Sequence, residues 1–336
     1  MRPAVKFLLT AAVVALATTA ALRCAALCRR SNAPVSVRFL AMGTLAEVSF
    51  RSGDAAAGAD IVRAAFQEVE SAASVFLPDS VLSRLNRAGL AIIPPTASED
   101  AFDLASLLSA ALDVSRESGG AFDPTVNPLM RLWGFRSNPS PASPPSTEAL
   151  SNALSRVGWF RVGLSRDQDG STKVAFARPG MELDLGGIAK GAAVDLAFER
   201  LRAAGFRDFL VNLGGNIRVS GSPSPLRRSW RVAVRDPGNP AKTLGEPLLL
   251  TSGEAVATSG SYERFVEIAG ARFSHIIDPR SGLPAPLSGS VTVVAPTATE
   301  ADAWSTALFV QGAGHDGAAV VRRHASTPRS KESPKP

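Results

Sequence analysis

Residues 181–195, MELDLGGIAKGAAVD, combine a short apolar run, two adjacent glycines and a segment of small residues. The run predicts a strand that ends near Asp184, the glycines predict a turn, and the remainder predicts a helix near 188–204. Glycine lets a ligand approach the backbone closely, and the N-terminus of a helix that begins near Ile188 would favour an anion. Lys190 is either a point charge for phosphate or a solvated surface lysine, and the stretch alone leaves both interpretations open.

The glycines do not belong to either of two common nucleotide-binding patterns. A dinucleotide-binding fold of the Rossmann type needs G-x-G-x-x-G after a strand, and a P-loop needs G-x-x-x-x-G-K-[ST]. Neither pattern occurs around these glycines; the one stretch with G-x-G-x-x-G spacing, GAGHDG (312–317), follows a predicted helix and not a strand. A Rossmann domain and a P-loop domain are therefore not expected.

The sequence around this stretch predicts a mixed fold rich in strands. Upstream, residues 36–50 predict a strand pair around Gly43, residues 57–76 an amphipathic helix, and residues 98–124 a second helix with Ser98 as its N-cap. Downstream, strand-like runs occur around 173–177, 208–215, 231–237, 247–260, 264–270 and 290–296, with another helix near 300–311. Because the strands follow one another directly, we predict an α+β fold with a mostly antiparallel sheet, not a doubly wound one.

Composition is typical of a globular protein. The 336 residues are 45% hydrophobic and 20% charged, which is enough apolar material for a sizeable core. The net charge of +6 is modest, and the Arg–Arg pairs at 29–30, 227–228 and 322–323 are scattered along the chain. With no single basic stripe, nucleic acid is not an expected partner.

The N-terminus has the pattern of an export signal. Arg2 and Lys6 precede an uncharged, mainly apolar run over residues 7–22, so residues 1–30 are predicted to be a cleaved signal peptide or an uncleaved signal anchor. The cysteines, Cys24 and Cys28, both lie in this segment, which excludes thiol catalysis and cysteine-bound zinc from the rest of the chain. We predict one domain over 31–315 and a disordered, Pro/Ser/Lys-rich tail over 316–336.

A candidate metal site lies in the predicted helix near 300–311. Asp302 and Thr306 are four residues apart, so their oxygens share one helix face. Carboxylate and hydroxyl oxygens are hard ligands that suit Mg²⁺ better than zinc or copper. A purely structural explanation stays open, because Asp302 also suits a first helical turn and Thr306 can bond its own helix backbone.

A histidine provides a candidate base. Of the three histidines, His275, His315 and His324, only the first follows a predicted strand, in the sequence HIIDPRSG (275–282). His275 lies three residues before Asp278 at a predicted turn. Its side chain is equally consistent with a proton acceptor and with a hydrogen-bonding residue that stabilises the turn.

Read together, these motifs resemble the ApbE family of FAD:protein FMN transferases. The resemblance runs from about Arg38 to Gly312 and is carried by eight blocks in the family's order. These blocks are MGT (42–44), SVFLPDSVLSRLN (74–86), GGAFDPTVNPL (119–129), DLGGIAKGAAVD (184–195), VNLGGNI (211–217), VATSGSYERF (256–265), HIIDPRSG (275–282) and ADAWSTALFVQG (301–312). It implies an ApbE-like (T-fold-like) α+β domain with flanking helices and FAD bound in a cleft.

The resemblance also assigns roles to individual residues. The positions that match FAD-binding residues of the family are Met42, Phe76, Ala121, Phe122, Asp123, Asp184, Lys190, His275 and Ile276. The positions that match magnesium ligands are Gly187, Asp302 and Thr306, of which the glycine can offer only its carbonyl oxygen. Phe76 departs from many relatives, which have tyrosine there; it keeps the stacking face and loses the hydroxyl.

The implied reaction is the Mg²⁺-dependent transfer of FMN from FAD to a threonine or serine hydroxyl of a target protein, with release of AMP. His275 is the first candidate for the base because an unperturbed imidazole titrates near neutrality. Asp278 is the second candidate, and Asp184 a third. Two alternatives remain: hydrolysis of FAD to FMN and AMP, or a non-catalytic periplasmic flavin-binding protein. The expected location is the bacterial periplasm, soluble after signal cleavage or anchored to the inner membrane.

Overall fold

A computed structural model of the protein describes residues 34–98, 100–136, 141–261, 264–315 and 317–323. The predicted signal segment, both cysteines, His324 and residues 324–336 lie outside the described residues. Among the residues described, no helix has both the length and the apolar character needed to cross a membrane.

A seven-stranded sheet forms the centre of the fold, in the order β1-β2-β6-β7-β10-β13-β14. Its neighbours are antiparallel except for β13 and β14, which are parallel. Its strands are β1 (Val35–Ala41), β2 (Thr44–Phe50), β6 (Phe209–Leu213), β7 (Asn216–Ser220), β10 (Ala255–Gly260), β13 (Ser290–Ala295) and β14 (Ala318–Arg322). The predicted mostly antiparallel α+β fold is confirmed.

Three smaller sheets surround the central one. They are β3-β5-β4, β8-β9 and β11-β12. Their strands are β3 (Leu90–Ile93), β4 (Val162–Arg166), β5 (Thr172–Phe176), β8 (Trp230–Asp236), β9 (Asn239–Leu250), β11 (Phe265–Ile268) and β12 (Ala271–Ser274). The β8–β9 hairpin covers one face of the central sheet, where Trp230 and Leu250 pack against Val219 and Val256.

Helices cover the other face of the sheet. The seven described helices are α1 (Ala55–Ala73), α2 (Val81–Ala88), α3 (Leu104–Glu117), α4 (Asn127–Leu132), α5 (Thr147–Leu154), α6 (Ala189–Ala203) and α7 (Ala298–Val310). Helix α6 packs between α1 and α7, and α7 lies against β10 and β13. This layer buries the main core and brings the N-termini of α6 and α7 close to each other.

Three details of the sequence prediction are wrong. Residues 181–185 are extended but form no strand, because the Asn86 side chain pairs with both backbone groups of Leu183, at 2.7 and 2.8 Å, in place of a neighbouring strand. Asp103, not Ser98, caps α3 and accepts the N–H of Ala105 at 2.9 Å. The predicted tail begins too early, because residues 318–322 form β14.

Candidate functional site

The glycine-rich turn before α6 is shaped by Asp184. This buried residue donates its backbone N–H to the carbonyl of Pro124 at 2.7 Å. Its Oδ1 accepts the N–H of Gly186 at 2.8 Å, a side-chain bond to the backbone two residues ahead that stabilises a turn. The carbonyl of Gly186 accepts the ammonium of Lys190 at 3.0 Å, so the lysine side chain folds back over the turn.

Lys190 and Asp302 connect the glycine-rich turn to the predicted metal site. The ammonium lies 3.4 and 3.5 Å from the two carboxylate oxygens of Asp302, whose side chain is only 5% exposed. Asp302 Oδ2 also accepts the backbone N–H of Gly191 at 3.0 Å. The cation and the acidic candidate ligand, 112 positions apart in sequence, are therefore direct neighbours.

The close approach of α6 to α7 depends on Gly191. A Cβ atom at this position would lie 2.2 Å from the carbonyl oxygen of Ala298 and 2.7 Å from the Cα of Thr299, far inside van der Waals contact. Asp195, one turn later, accepts the backbone N–H groups of Ala298 and Thr299 at 2.8 Å each and so caps α7 from a neighbouring helix. Burial raises the pKa of Asp195, while the neighbouring Arg218 and these hydrogen bonds lower it.

The predicted metal ligands form a partial set of hard oxygen donors. The hydroxyl of Thr306 lies 3.1 Å from Ser259 Oγ, and a Cβ at Gly187 would lie 3.4 Å from Thr306 Oγ1. No cluster of three or more His, Cys, Asp or Glu suited to a metal occurs in the part of the chain that the structure describes. One carboxylate with neutral oxygens still fits Mg²⁺, which proteins usually hold through one or two carboxylates plus substrate phosphates.

His275 is held by the backbone of Arg264. The Arg264 carbonyl lies 3.2 Å from the backbone N of His275 and 3.0 Å from its ring Nδ1. Because a carbonyl can only accept, Nδ1 carries the proton in this contact and Nε2 keeps its lone pair. Desolvation lowers the pKa of His275 to about 4; the bond to Arg264 opposes this shift, and the positive charge of Lys190 adds to it.

The second candidate for the base, Asp278, is occupied by a neighbouring arginine. Both carboxylate oxygens accept the guanidinium of Arg280, at 2.9 Å each, and Oδ1 also accepts its backbone N–H. The carbonyl of Asp278 accepts the N–H of Gly282 at 2.8 Å. Through these bonds Asp278 stabilises its own turn. Because its carboxylate is already paired, His275 is favoured as the group that can take a proton.

Met42 lies in a strained turn that the Arg264 side chain contacts. Its φ of 48° and that of Gly43, 70°, form a tight hairpin turn, and a left-handed backbone is uncommon for methionine. The guanidinium of Arg264 donates to the carbonyl of Gly43 at 3.2 Å. Arg264 thus connects the Met42 turn to His275 through its own backbone carbonyl.

Phe76 is an exposed aromatic residue that contacts an arginine not predicted as part of the site. Its side chain is 65% exposed, and the guanidinium of Arg136 lies over its ring, 4.7 Å from the ring centre. Arg136 also forms an ion pair with Asp184, in which both side chains are largely buried. The sequence carried no signal for Arg136, because this contact joins positions 48 residues apart.

Ala121, Phe122, Asp123 and Ile276 are buried beneath the turn. The Phe122 ring supports the glycines, since a Cβ at Gly187 would lie 3.1 Å from its Cε2. Asp123 accepts the backbone N–H groups of Thr125 and Trp159, at 2.8 and 2.9 Å, while burial raises its pKa. The Asp123 carboxylate is therefore already occupied by backbone N–H groups of its own surroundings.

Two cavities are lined by none of the predicted site residues, although the first borders Asp195. One, of about 360 Å³, lies between α3 and α6 and includes Phe102, Leu196 and Arg200. The other, of about 410 Å³, lies beside Pro94 and Arg166. The predicted site is therefore defined by its side-chain network, in which Phe76, Asp184, Lys190, Asp302 and Thr306 come together around the glycine-rich turn.

The arrangement of these residues suits an aromatic nucleotide with its metal. It combines an exposed aromatic ring, a glycine-rich turn with a lysine, and a nearby set of hard oxygen ligands. The ApbE family profile matches residues 42–327 of the chain. The protein belongs to the ApbE family.

The similarity to known relatives extends over most of the chain. It is 38% identical to the FAD:protein FMN transferase of Treponema pallidum over 295 residues, 81% of this chain and 77% of that protein. It is 31% identical to the enzyme of the same name from Haemophilus influenzae over 85% of this chain and 83% of the relative. Among solved structures, the ApbE protein of Thermotoga maritima is similar at a TM-score of 0.72 and 33% identity, over 83% of this chain and 87% of that one.

Proposed function

We propose that this protein is an FAD:protein FMN transferase, which moves FMN from FAD to a threonine or serine hydroxyl of a target protein and releases AMP. Its relatives in Treponema pallidum and Haemophilus influenzae bear that name. The observation that carries the proposal is the position of Lys190 Nζ, 3.0 Å from Gly186 O and 3.4 Å from Asp302 Oδ1. This position supports a role for Lys190 in binding phosphate, next to the candidate metal ligand Asp302.

The proposed step is a displacement at the FMN phosphorus of FAD. The target hydroxyl oxygen forms a bond to this phosphorus, the bond from the phosphorus to the bridging oxygen breaks, and AMP leaves with the electron pair. Nε2 of His275 takes the hydroxyl proton. Lys190 stabilises the negative charge of the phosphates, and positioning supplies much of the acceleration in such reactions.

Gly187, Asp302 and Thr306 would hold Mg²⁺, which would neutralise charge on the phosphate oxygens when bound. Gly187 would contribute its carbonyl oxygen and Asp302 the only formal negative charge of the set. The substrate's phosphates would complete the coordination, consistent with the small number of protein ligands.

Mass spectrometry of an acceptor protein tests the reaction. The purified protein is incubated with FAD, Mg²⁺ and a threonine-containing acceptor. We expect an FMN adduct on the threonine and an equal amount of AMP, and neither product in excess EDTA. AMP and free FMN without an adduct would indicate the FAD pyrophosphatase alternative. FAD binding without AMP would indicate a non-catalytic flavin-binding protein.

The pH dependence of FAD cleavage tests His275 as the base. Its pKa is lowered to about 4, so the imidazole is neutral and active above that value and becomes protonated as the pH falls through it. We expect a constant rate from about pH 8 to about pH 5.5 and a loss as pH approaches the lowered pKa. A midpoint near the ordinary histidine value of 6.5 would contradict the lowered pKa but would still fit a histidine base. The variant His275→Ala tests the role itself, and full activity in that variant would remove His275 as the base.

Phe76→Ala tests the aromatic contact. We expect FAD binding to weaken by about 1–3 kcal/mol, the scale of a lost stack between a base and an aromatic side chain. Phe76→Tyr keeps the ring and serves as the control, with binding close to that of the unmodified protein. Fluorescence titration of FAD measures both variants; equal affinities for alanine and tyrosine would remove Phe76 from the binding site.

We also propose that residues 1–30 export the protein to the periplasm or anchor it to the inner membrane. The support is the basic start followed by an apolar run in the sequence. A fusion after residue 40 to a reporter that is active only in the cytoplasm is expected to be dark. A bright fusion would overturn this topology.

A further inference from the structure

Arg136 binds two residues of the proposed FAD site at once. Its guanidinium pairs with Asp184 Oδ2 and lies over the Phe76 ring, 4.7 Å from the ring centre. Two more of its N–H groups donate to Asn127 Oδ1 at 3.2 Å and to the carbonyl of Phe135 at 3.0 Å. Only 12% of the side chain is exposed, so the guanidinium is fixed in one position.

These contacts extend into a continuous network. Asp184 joins Arg136 through one carboxylate oxygen and the N–H of Gly186 through the other. Gly186 in turn accepts Lys190 through its carbonyl, and Lys190 faces Asp302. A cation–π contact connects the exposed Phe76 ring to Arg136, and hydrogen bonds and ion pairs connect Arg136 to the candidate metal ligand Asp302.

The positive charge of Arg136 is what affects the binding of FAD in this proposal. Without its cation, the Asp184 carboxylate would be a buried negative charge in the same turn that faces the phosphates of FAD. Like charges repel, and the interaction is stronger where water is excluded. With Arg136 in place the pair is neutral, and the positive charge of Lys190 is left to attract the phosphates.

We propose that Arg136 is a positioning residue for FAD, which neutralises Asp184 and holds the Phe76 ring in place for stacking. This inference rests on the proposed function. It differs from a direct contact with FAD, because the guanidinium acts through Asp184 and Phe76. It also differs from simple packing, because its effect on FAD binding depends on the charge of Asp184.

A double-mutant cycle with Asp184 tests the proposal. The dissociation constant for FAD is measured by fluorescence titration in EDTA, where no cleavage interferes. Arg136→Met alone is expected to raise it about 10- to 150-fold, the range for loss of a charge-assisted interaction. In the Asp184→Asn background the same change is expected to raise it less than about 10-fold, because no negative charge remains to be neutralised and only the contact with the Phe76 ring is lost. Equal factors in the two backgrounds would overturn the proposal.

Controls separate this proposal from others. Arg116→Met removes an arginine of α3, whose side chain is 61% exposed and pairs with Asp113, and is expected to leave FAD affinity unchanged. If the unmodified protein fails to bind FAD, the proposed function fails and the cycle is not the cause. If Arg136→Met does not fold, the comparison of Arg136→Met/Asp184→Asn with Asp184→Asn decides. The double variant leaves no unpaired buried charge, and in Asp184→Asn the guanidinium of Arg136 still donates to Asn127 Oδ1 and to the Phe135 carbonyl. A loss above about 10-fold in that comparison would contradict the neutralising role.

Discussion

Asp302→Ala is expected to lower the rate of FAD cleavage by on the order of 1,000-fold or more, because it removes the charged ligand of the proposed metal site. The carboxylate is 5% exposed and accepts the N–H of Gly191 at 3.0 Å. The alanine variant would also leave the ammonium of Lys190 without its acidic neighbour. The measurement is AMP release, separated by chromatography, at saturating Mg²⁺ and FAD.

Asp302→Asn is the matched control for this experiment. The amide oxygen can still accept the Gly191 N–H, so the geometry is preserved while the negative charge is lost. We expect its activity to be nearly as low as that of the alanine variant, with ligand-free thermal stability close to that of the unmodified protein. Full activity in Asp302→Asn would show that the charge of this residue is not needed and would remove it from the metal site.

Gly191→Ala is expected to destabilise the protein by about 3 kcal/mol, the upper part of the usual range for overpacking. The new methyl group would meet the carbonyl of Ala298 at 2.2 Å, and a backbone atom in a capped helix cannot move aside as a flexible side chain can. FAD cleavage is expected to fall as well, since separating α6 from α7 moves Asp302 away from Lys190. Urea unfolding and AMP release measure the two effects.

Gly163→Ala controls for the loss of a glycine. A Cβ at Gly163 would lie 3.7 Å from the nearest atom, the carbonyl oxygen of Ala175, which is ordinary contact. We expect a change within about 0.5 kcal/mol, as for other substitutions that disturb no packing. If the Gly191 and Gly163 variants had the same stability, the tight crossing of α6 and α7 would not constrain the fold.

The sequence predicts the larger elements of this fold because their periodicity reflects which side is buried. Helix α1 and the strand pair around Gly43 follow from such patterns, and both are present. The extended segment before α6 could not be told from a strand, since the partner of Leu183 is the side chain of Asn86. Helix α5 was not predicted, because its eight residues are too few to show a clear helical period.

Some residues of the candidate site could be predicted from the sequence and others could not. Lys190, Asp302 and His275 were candidates because they lie in short sequence motifs, and the resemblance to the ApbE family assigned their roles. Arg136 was not, because its contacts with Phe76 and Asp184 arise only when distant segments pack together. The choice between His275 and Asp278 also needed the structure, since the bidentate pair with Arg280 depends on the conformation of the turn.

The cap that Asp195 places on α7 has a consequence for substrate selection. Asp195 belongs to α6 and fixes the first residues of α7, and Asp302 follows one turn later. The spacing between Lys190 and Asp302 is therefore set by helix pitch, before any substrate arrives. Under the proposed function, a substrate would meet the phosphate-binding and metal-binding groups at a separation already set by the packing of α6 on α7. The entropy of arranging these groups would then be lost during folding and not when the substrate binds.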